Sequence, residues 1–449
     1  MASFQQGHKE TDKFDAVVVG AGFSGLYMLH RLREAGFTTK VFEAGEDVGG
    51  TWYWNRYPGA RCDSESIYYN YTFSDELLQE WTWTSRYPEQ PEILRYLNFV
   101  ADKFELRRDI QFNTKVMTGH YDKETNNWSI RTDDGKDICA QYFITAVGCL
   151  SAANLPEFKG LEQFKGEWYH TGRWPHEKVD FNGKRVGVIG TGSSGVQVIP
   201  VIAKEAEHLT VFQRTPQYSV PARNHPYDQE YIQKTKNNYN EIRQQTRESV
   251  FGVPVMPSER SALEDPPEER EKKYEDAWQK GGIFHLPTTY GDLTIDKAAN
   301  ETVSSFIRSK IREVVKDSKT AEKLMPTYYY ATKRPITDTN YFETYNRDNV
   351  TLVDVKSESI KEITAKGIRT AANEYELDTI IFATGFDGMT GPLFKMDIHG
   401  KEGQSLKRKM GRRRANENVS WHSHCWFPES VYDNWARKPF CLKQYACLD

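Results

Sequence analysis

This 449-residue chain is short of several things, and each shortage excludes a class. It has no apolar run long enough to span a bilayer, which argues against a helical membrane protein. Its polar start, "MASFQQGHKETDKF", lacks the apolar centre of a signal peptide. Its net charge is only -4, so there is no electrostatic case for nucleic acid or an anionic membrane surface. The six cysteines, Cys62, Cys139, Cys149, Cys425, Cys441 and Cys447, show no paired spacing. That excludes a disulfide framework and predicts reduced thiols in a cytoplasmic protein. Aromatic residues are plentiful at 13 %, a share that suits either a large core or the binding of a flat cofactor. At this length two or three domains are expected.

Residues 15–32 read "DAVVVGAGFSGLYMLHRL". A β-branched run ends in Gly20-x-Gly22-x-x-Gly25, and apolar residues then recur at helical spacing. Glycines there permit a tight turn, close approach of a pyrophosphate and close helix–strand packing, with the helix N-terminus facing the phosphates. A second strand, "TTKVFEAG", ends on Glu43, an acid placed to hold a ribose hydroxyl.

The pattern returns at "KRVGVIGTGSSGVQVIPVIA" with Gly190, Gly192 and Gly195. The strand that follows, "HLTVFQRTP", lacks the acid and carries Arg214 and Thr215 instead. A carboxylate would repel a ribose 2′-phosphate, whereas a guanidinium and a hydroxyl bind one, so this site favours NADPH over NADH. The alternative for Arg214 is a solvated charge at a strand end. Two such units predict two dinucleotides, a flavin on the first and a nicotinamide on the second.

The fold class is therefore α/β: two Rossmann-like dinucleotide-binding domains, the second inserted in the first, with a helical subdomain. The expected boundaries are 1–150 for the first part of the FAD domain and 151–376 for the NADPH domain. A charged, largely helical insert is expected at about 225–328. An incomplete second part of the FAD domain covers 377–409. "FITAVG" and "IIFATGFD" mark the points where chain re-enters the flavin domain.

Between the glycine motifs lies "FKGEWYHTGRWP". Its pattern of Phe164, Gly166, His170, Trp174 and Pro175 resembles the fingerprint of type I Baeyer–Villiger monooxygenases, the cyclohexanone and phenylacetone monooxygenase-like flavoproteins. Sister flavoproteins that oxygenate nitrogen and sulfur lack the Trp-Pro ending. The resemblance runs from about Phe14 to Lys407 through "GTWYWNRYPGARCD", "FQRTPQYSVP", "KRP", "NRDNV" and "ATGFD".

The resemblance implies that NADPH reduces FAD and that a flavin C4a-peroxide inserts one oxygen of O2 beside a ketone carbonyl, giving an ester or lactone. Arg334 matches the catalytic arginine, a permanent cation for developing negative charge, and Asp63 the acid that orients it. Thr51, Trp52, Tyr53 and Trp54 match the flavin loop, with Ser24, Glu43, Asp63 and Tyr69 as further contacts. Arg61, Cys62 and Asp63 lie where that loop meets both cofactors. Lys333 and Arg334 join Arg214 and Thr215 at the nicotinamide cofactor, whose glycine turn adds Thr191, Ser193, Ser194 and Gln197. His170 acts as a hinge residue that couples cofactor binding to domain motion, not as a base.

The expected partners are a small-molecule ketone and O2, with no nucleic acid, membrane or specific protein partner. A flavin N- or S-oxygenase is one rival reading and an inactive truncated relic another. A dithiol reductase is disfavoured because no Cys-x-x-Cys lies near the flavin motif.

From Met410 the chain departs from the family and reads "MGRRRANENVSWHSHCWF". A shift of one base turns Met410 into the tryptophan the family carries there, and turns Trp421, Trp426 and Trp435 into glycines. Residues 410–449 are therefore expected to be out of frame, through an inserted base near the codons of Lys409 and Met410. The His-Ser-His-Cys cluster is then an accident, and no metal site is assigned.

Overall fold

The structure is a computed structural model describing residues 11–249 and 252–414, with side chains through 410. The tail expected to be out of frame, with Cys425, Cys441 and Cys447, lies outside these residues apart from its first positions. The chain forms two compact units. One is assembled from three segments, through Trp54, Leu94–Ala152, and from Phe386 onward; the other takes Asn55–Ile93 and Ala153–Gly385.

The first unit is built on a seven-stranded sheet. In spatial order its strands are Asp397–His399, Val116–Asp122, Asn127–Thr132, Asp137–Thr145, Asp12–Val19, Thr39–Phe42 and Ile110–Gln111. The last four run parallel. Asp12–Val19 is flanked on both sides, and Ala16, Val17 and Val18 are fully buried, as the continuous β-branched run requires. The helix Phe23–Glu34 follows directly and buries Leu26, Leu29 and Leu32.

The second unit carries five parallel strands, in the order Val350–Asp354, His208–Gln213, Arg185–Ile189, Thr379–Phe382 and Glu167–His170. Here the structure moves two expected boundaries. "IIFATGFD" was expected to open the re-entry into the first domain at 377. Instead Thr379–Phe382 is buried at every position between Arg185–Ile189 and Glu167–His170, so the chain leaves this unit only after Gly385. Residues 55–93, expected within a first domain running to 150, also belong here. The Gln197 side chain on the helix Ser193–Glu205 holds both Tyr57 and Arg61.

The insert is helical as its charge pattern suggests, with Gln229–Asn237, Tyr239–Glu248, Pro267–Lys280, Lys297–Val314 and Ser318–Leu324. Lys297–Val314 starts where the Asp296 carboxylate accepts a hydrogen bond from the Ala299 N–H at 2.8 Å. It buries Ala299, Val303, Phe306, Ile307 and Ile311 on one stripe, each large apolar side chain contributing about 2 kcal/mol. Of "GGIFHLPTTYGDL", Ile283, Leu286, Tyr290 and Leu293 are buried in this core, with Phe284 partly buried against it. Among the described residues no helix is long and apolar enough to cross a membrane.

Candidate active site

In the first unit the glycine motif forms the strand–turn–helix its spacing demands. Gly20 has φ +103°, and a Cβ there would lie 2.6 Å from the Ala146 carbonyl oxygen, so only glycine fits. Gly22 caps the helix Phe23–Glu34 with no side-chain hydrogen bond and no acid in the first turn. The helix therefore presents uncapped N–H groups and the positive end of its dipole, with Ser24 exposed in that first turn. Gly25 sits tight against the turn, where a Cβ would meet the Gly20 carbonyl.

Glu43 ends the next strand and is buried. Its Oε2 accepts from the Ala21 N–H at 2.6 Å and its Oε1 from the Gly45 N–H at 2.8 Å. Burial raises its carboxyl pKa, and those backbone hydrogen bonds pull the other way. The acid expected at a ribose thus also clamps the glycine turn, and each oxygen keeps a second lone pair for a hydroxyl. Thr51–Trp54 forms a short helix with Thr51 exposed, Trp52 and Tyr53 buried, and the Trp54 ring edge-on to Tyr53 at 4.9 Å. It is anchored by Gly49 N–H donating to Ala21 O and Glu46 N–H to Tyr53 Oη. The loop expected near a flavin is thereby fastened to the same glycine turn.

In the second unit Gly190 repeats the geometry, with φ +109° and room for no Cβ beside the Ala383 carbonyl. The helix Ser193–Glu205 again starts at a glycine, Gly192, without a side-chain cap. At Gly192 a Cβ would meet nothing within 4 Å, so this turn leaves open space for a ligand, whereas Gly195 is pressed against the Gly190 carbonyl. Ser193 is exposed and Ser194 half-buried on the first turn. Thr191 is buried and donates to the Thr215 carbonyl at 3.3 Å, which ties the turn to the end of the next strand. Arg214 is exposed there and makes no ion pair among the described residues. Lys333 is exposed as well, its Nζ over the Tyr328 ring at 4.9 Å from the centroid.

Gln197, expected at the nucleotide, also braces the loop before Asp63. Its Oε1 accepts from Tyr57 Oη at 2.8 Å and the Arg61 N–H at 3.3 Å, while its Nε2 donates to Arg61 O at 3.0 Å. The amide thereby holds the 57–61 loop. Arg61 in turn donates to Tyr87 O and to Glu89 Oε1, at 2.7 and 2.6 Å. Cys62 is buried, and burial, reinforced by the neighbouring Asp63, raises its thiol far above the ordinary range. Tyr69, half-buried, and Asp63 belong to this unit too.

Arg334 and Asp63 meet directly. The guanidinium donates from Nε to Asp63 Oδ2 at 3.0 Å, and Nη2 lies 3.0 Å from the same oxygen. Two nitrogens on one oxygen fix the plane of the fork, while 43 % of the arginine side chain stays accessible.

Each fingerprint residue has a physical task. A Cβ at Gly166 would strike the Asp378 carbonyl, and Phe164 packs on the apolar cluster that includes Phe382. Trp174 is buried in the main core against Tyr169, ahead of half-buried Pro175. His170 is buried, and burial lowers its pKa. Its Nδ1 accepts from the Gly172 N–H, so Nε2 carries the proton and faces Thr384 Oγ1 at 3.2 Å. Thr384 donates onward to the Asn154 carbonyl, and Asn154 N–H to Gly385 O. Asn154 and Gly385 stand beside two of the four places where the chain passes between units. The sequence reading missed Thr384 and Asn154 as partners of His170; the "ATGFD" motif was the available signal for Thr384.

A family model for flavin-binding monooxygenase-like proteins matches residues 13–246. A Baeyer-Villiger monooxygenase of Pseudooceanicola batsensis is 50 % identical over 397 residues, 88 % of this chain and 72 % of that protein. The cyclohexanone 1,2-monooxygenase of an Acinetobacter species is 47 % identical over 88 % of this chain and 73 % of its own. The solved structure of an oxidized steroid monooxygenase bound to NADP aligns with a TM-score of 0.87 at 52 % identity, covering 89 % of this chain and 76 % of that one. The chain belongs to the flavin-binding monooxygenases, in their Baeyer–Villiger branch.

Proposed function

We propose that this chain binds FAD on its first unit and NADPH on its second, and inserts one oxygen atom of O2 beside the carbonyl of a small-molecule ketone, in the cytoplasm, to give an ester or lactone. The names of its relatives support the substrate class, among them cyclohexanone 1,2-monooxygenase and a methyl acetate-forming acetone monooxygenase. The residues present fit both cofactors. The first turn offers an uncapped helix and Glu43 lone pairs, and the second offers open space at Gly192 with exposed Arg214 beyond it. When bound, NADPH supplies electrons and FAD the oxygen-transfer chemistry.

The observation that carries the reading is the Arg334–Asp63 pair. Arg334 holds a charge that is not lost at working pH, and Asp63 orients it, so negative charge developing at a substrate carbonyl oxygen meets a preorganised cation. His170, buried and with a lowered pKa, holds its proton toward Thr384 and keeps a positioning role. The test is to load the purified chain with FAD and follow ketone-dependent NADPH oxidation with product mass. A product heavier by one oxygen is expected; a sulfide or amine oxygenated faster than every ketone moves the chain to the N/S-oxygenase class.

We also infer that residues 410–449 are read one base out of frame. The support is that Met410 followed by Gly411 yields TGG on the shift, and that Trp421, Trp426 and Trp435 become glycines. Sequencing the gene from the Lys409 codon onward tests this. The shifted frame must stay open and resemble the relatives, and a frame that stops or reads unlike them overturns the inference.

A further inference from the structure

Among the described residues, His120, Asp397 and His399 bring one ligand atom each to within 4.8 Å of the others. The sequence could not join them, because 277 residues separate His120 from Asp397. The fold does. Asp397–His399 is the edge strand of the first unit's sheet and pairs in parallel with Val116–Asp122, placing His399 directly beside His120. Residues two apart on a strand share a face, so Asp397 points the same way as His399. The two imidazole centroids are 4.6 Å apart.

Asp397 lies between the two rings. Its Oδ2 is 3.3 Å from His120 Nε2 and its Oδ1 is 2.9 Å from His399 Nε2. The other nitrogen of His399, Nδ1, lies 3.1 Å from the Gly403 carbonyl oxygen. A carbonyl only accepts, so Nδ1 carries the hydrogen, and the Nε2 of a neutral His399 presents a lone pair to a carboxylate oxygen. Two acceptors at that distance need a proton or a metal cation between them, so His399 is either an imidazolium paired with Asp397 or a neutral ligand sharing a metal ion with it. The N–H to carbonyl contact is also the arrangement that fixes the tautomer of metal-binding histidines. Two imidazoles and a carboxylate make a donor set for zinc-class divalent ions, and the partial exposure leaves room for water to complete the coordination.

We propose that His120, Asp397 and His399 form a divalent transition-metal site that fastens the edge strand Asp397–His399 to the body of its sheet. None of these residues belongs to the nucleotide turns or the Arg334–Asp63 pair, and the proposal does not depend on the catalytic reading.

The test uses the full chain, tag removed and metal stripped by chelation, titrated with Zn2+ by calorimetry near neutral pH. The tail sequence also carries His422, His424 and Cys425, so the assignment rests on the difference between wild type and substituted proteins. The expected result is one more bound equivalent in wild type than in His120→Ala/His399→Ala. Asp397→Asn, a conservative change at an exposed position, is expected to weaken that equivalent by more than the ~10–100-fold cost of losing an outer-shell partner. Zn2+ should raise the melting temperature of wild type and leave that of the double variant unchanged. With one equivalent of Cu2+, electron paramagnetic resonance on wild type alone should show two nitrogen ligands. Equal stoichiometry and equal melting shifts in all three proteins overturn the proposal, as does a wild-type Cu2+ spectrum without nitrogen coupling. The cluster is then only an imidazolium–carboxylate pair.

Discussion

Arg334 and Asp63 lie 271 residues apart, yet two nitrogens of the arginine rest on one carboxylate oxygen at 3.0 Å. Asp63 comes from the loop that Gln197 pins through Arg61, so the acid is held by the same helix that starts at the second glycine turn. The cation is thus positioned by backbone-anchored neighbours. That is the arrangement electrostatic stabilisation requires, since donors must be oriented before charge appears.

Replacing Arg334 by Ala is expected to abolish oxygenated product while NADPH still reduces bound FAD, which stopped-flow absorbance would follow. Lysine at 334 keeps the charge but not the fork, so partial activity should return. Asp63→Ala leaves the cation and frees it to turn; kcat should fall by ~10–100-fold with little change in reduction rate. Loss of reduction and oxygenation together in Arg334→Ala contradicts the assigned role.

Arg214 tests the nicotinamide preference. It is exposed, without an ion pair among the described residues, just past the strand His208–Gln213. Arg214→Ala should weaken NADPH by ~10–100-fold and NADH by no more than a few-fold, because only NADPH carries the 2′-phosphate that a guanidinium binds in charge-assisted fashion. Steady-state KM values for the two cofactors decide it, and equal weakening defeats the 2′-phosphate argument.

The two glycines of the second turn should separate binding from folding. A methyl at Gly192 meets nothing, so Gly192→Ala should keep its melting temperature and lose NADPH affinity. A methyl at Gly195 would lie 2.2 Å from the Gly190 carbonyl oxygen, so Gly195→Ala should cost a few kcal/mol of stability. Thermal denaturation with and without NADP+ distinguishes the two variants.

Both turns were legible because what they need is local: three glycines, a β-branched strand before and an apolar helix after. The acceptor role of Glu43 was half legible. Its place at a strand end can be read from sequence, but its hydrogen bond to Ala21, 22 residues back, follows from how the turn folds over it. Gln197 and Thr384 were harder, since side-chain partners 136 and 214 residues away leave no local pattern. The placement of "IIFATGFD" went to the wrong sheet for a related reason. A run of buried β-branched residues declares a central strand without saying which sheet it is central to.

Asp338 carries a stability term of one sign. It is buried, and burial pushes its carboxyl up to about 7, opposed by a hydrogen bond from the Tyr341 N–H. A raised acid binds its proton more tightly when folded, so this stabilisation is complete below the unfolded value of 3.8 and is lost as pH rises to about 7. Asp338→Asn keeps an acceptor for Tyr341 and cannot ionise. Its stability relative to wild type should climb over that window by an amount on the order of a few kcal/mol, read from urea unfolding at a series of pH values. A constant difference across the series removes the claim.

His170 carries the opposite sign. Burial lowers its pKa from 6.5, and the chain Gly172 N–H to Nδ1, Nε2–H to Thr384, Thr384 to Asn154 has room for only one ring proton. A base with a depressed folded pKa contributes stability that is present above the unfolded value near 6.5 and lost as pH falls through it. Wild type should therefore lose stability below that pH faster than His170→Asn, which cannot titrate. The same substitution breaks a buried relay and should cost about 1–3 kcal/mol at neutral pH. Because the His170 hydrogen-bond chain reaches two of the segments where the chain crosses between units, the variant should also slow turnover while leaving the midpoint for NADP+ binding nearly unchanged. If turnover and NADP+ affinity fall in step, His170 acts at the nucleotide itself and its hinge role is wrong.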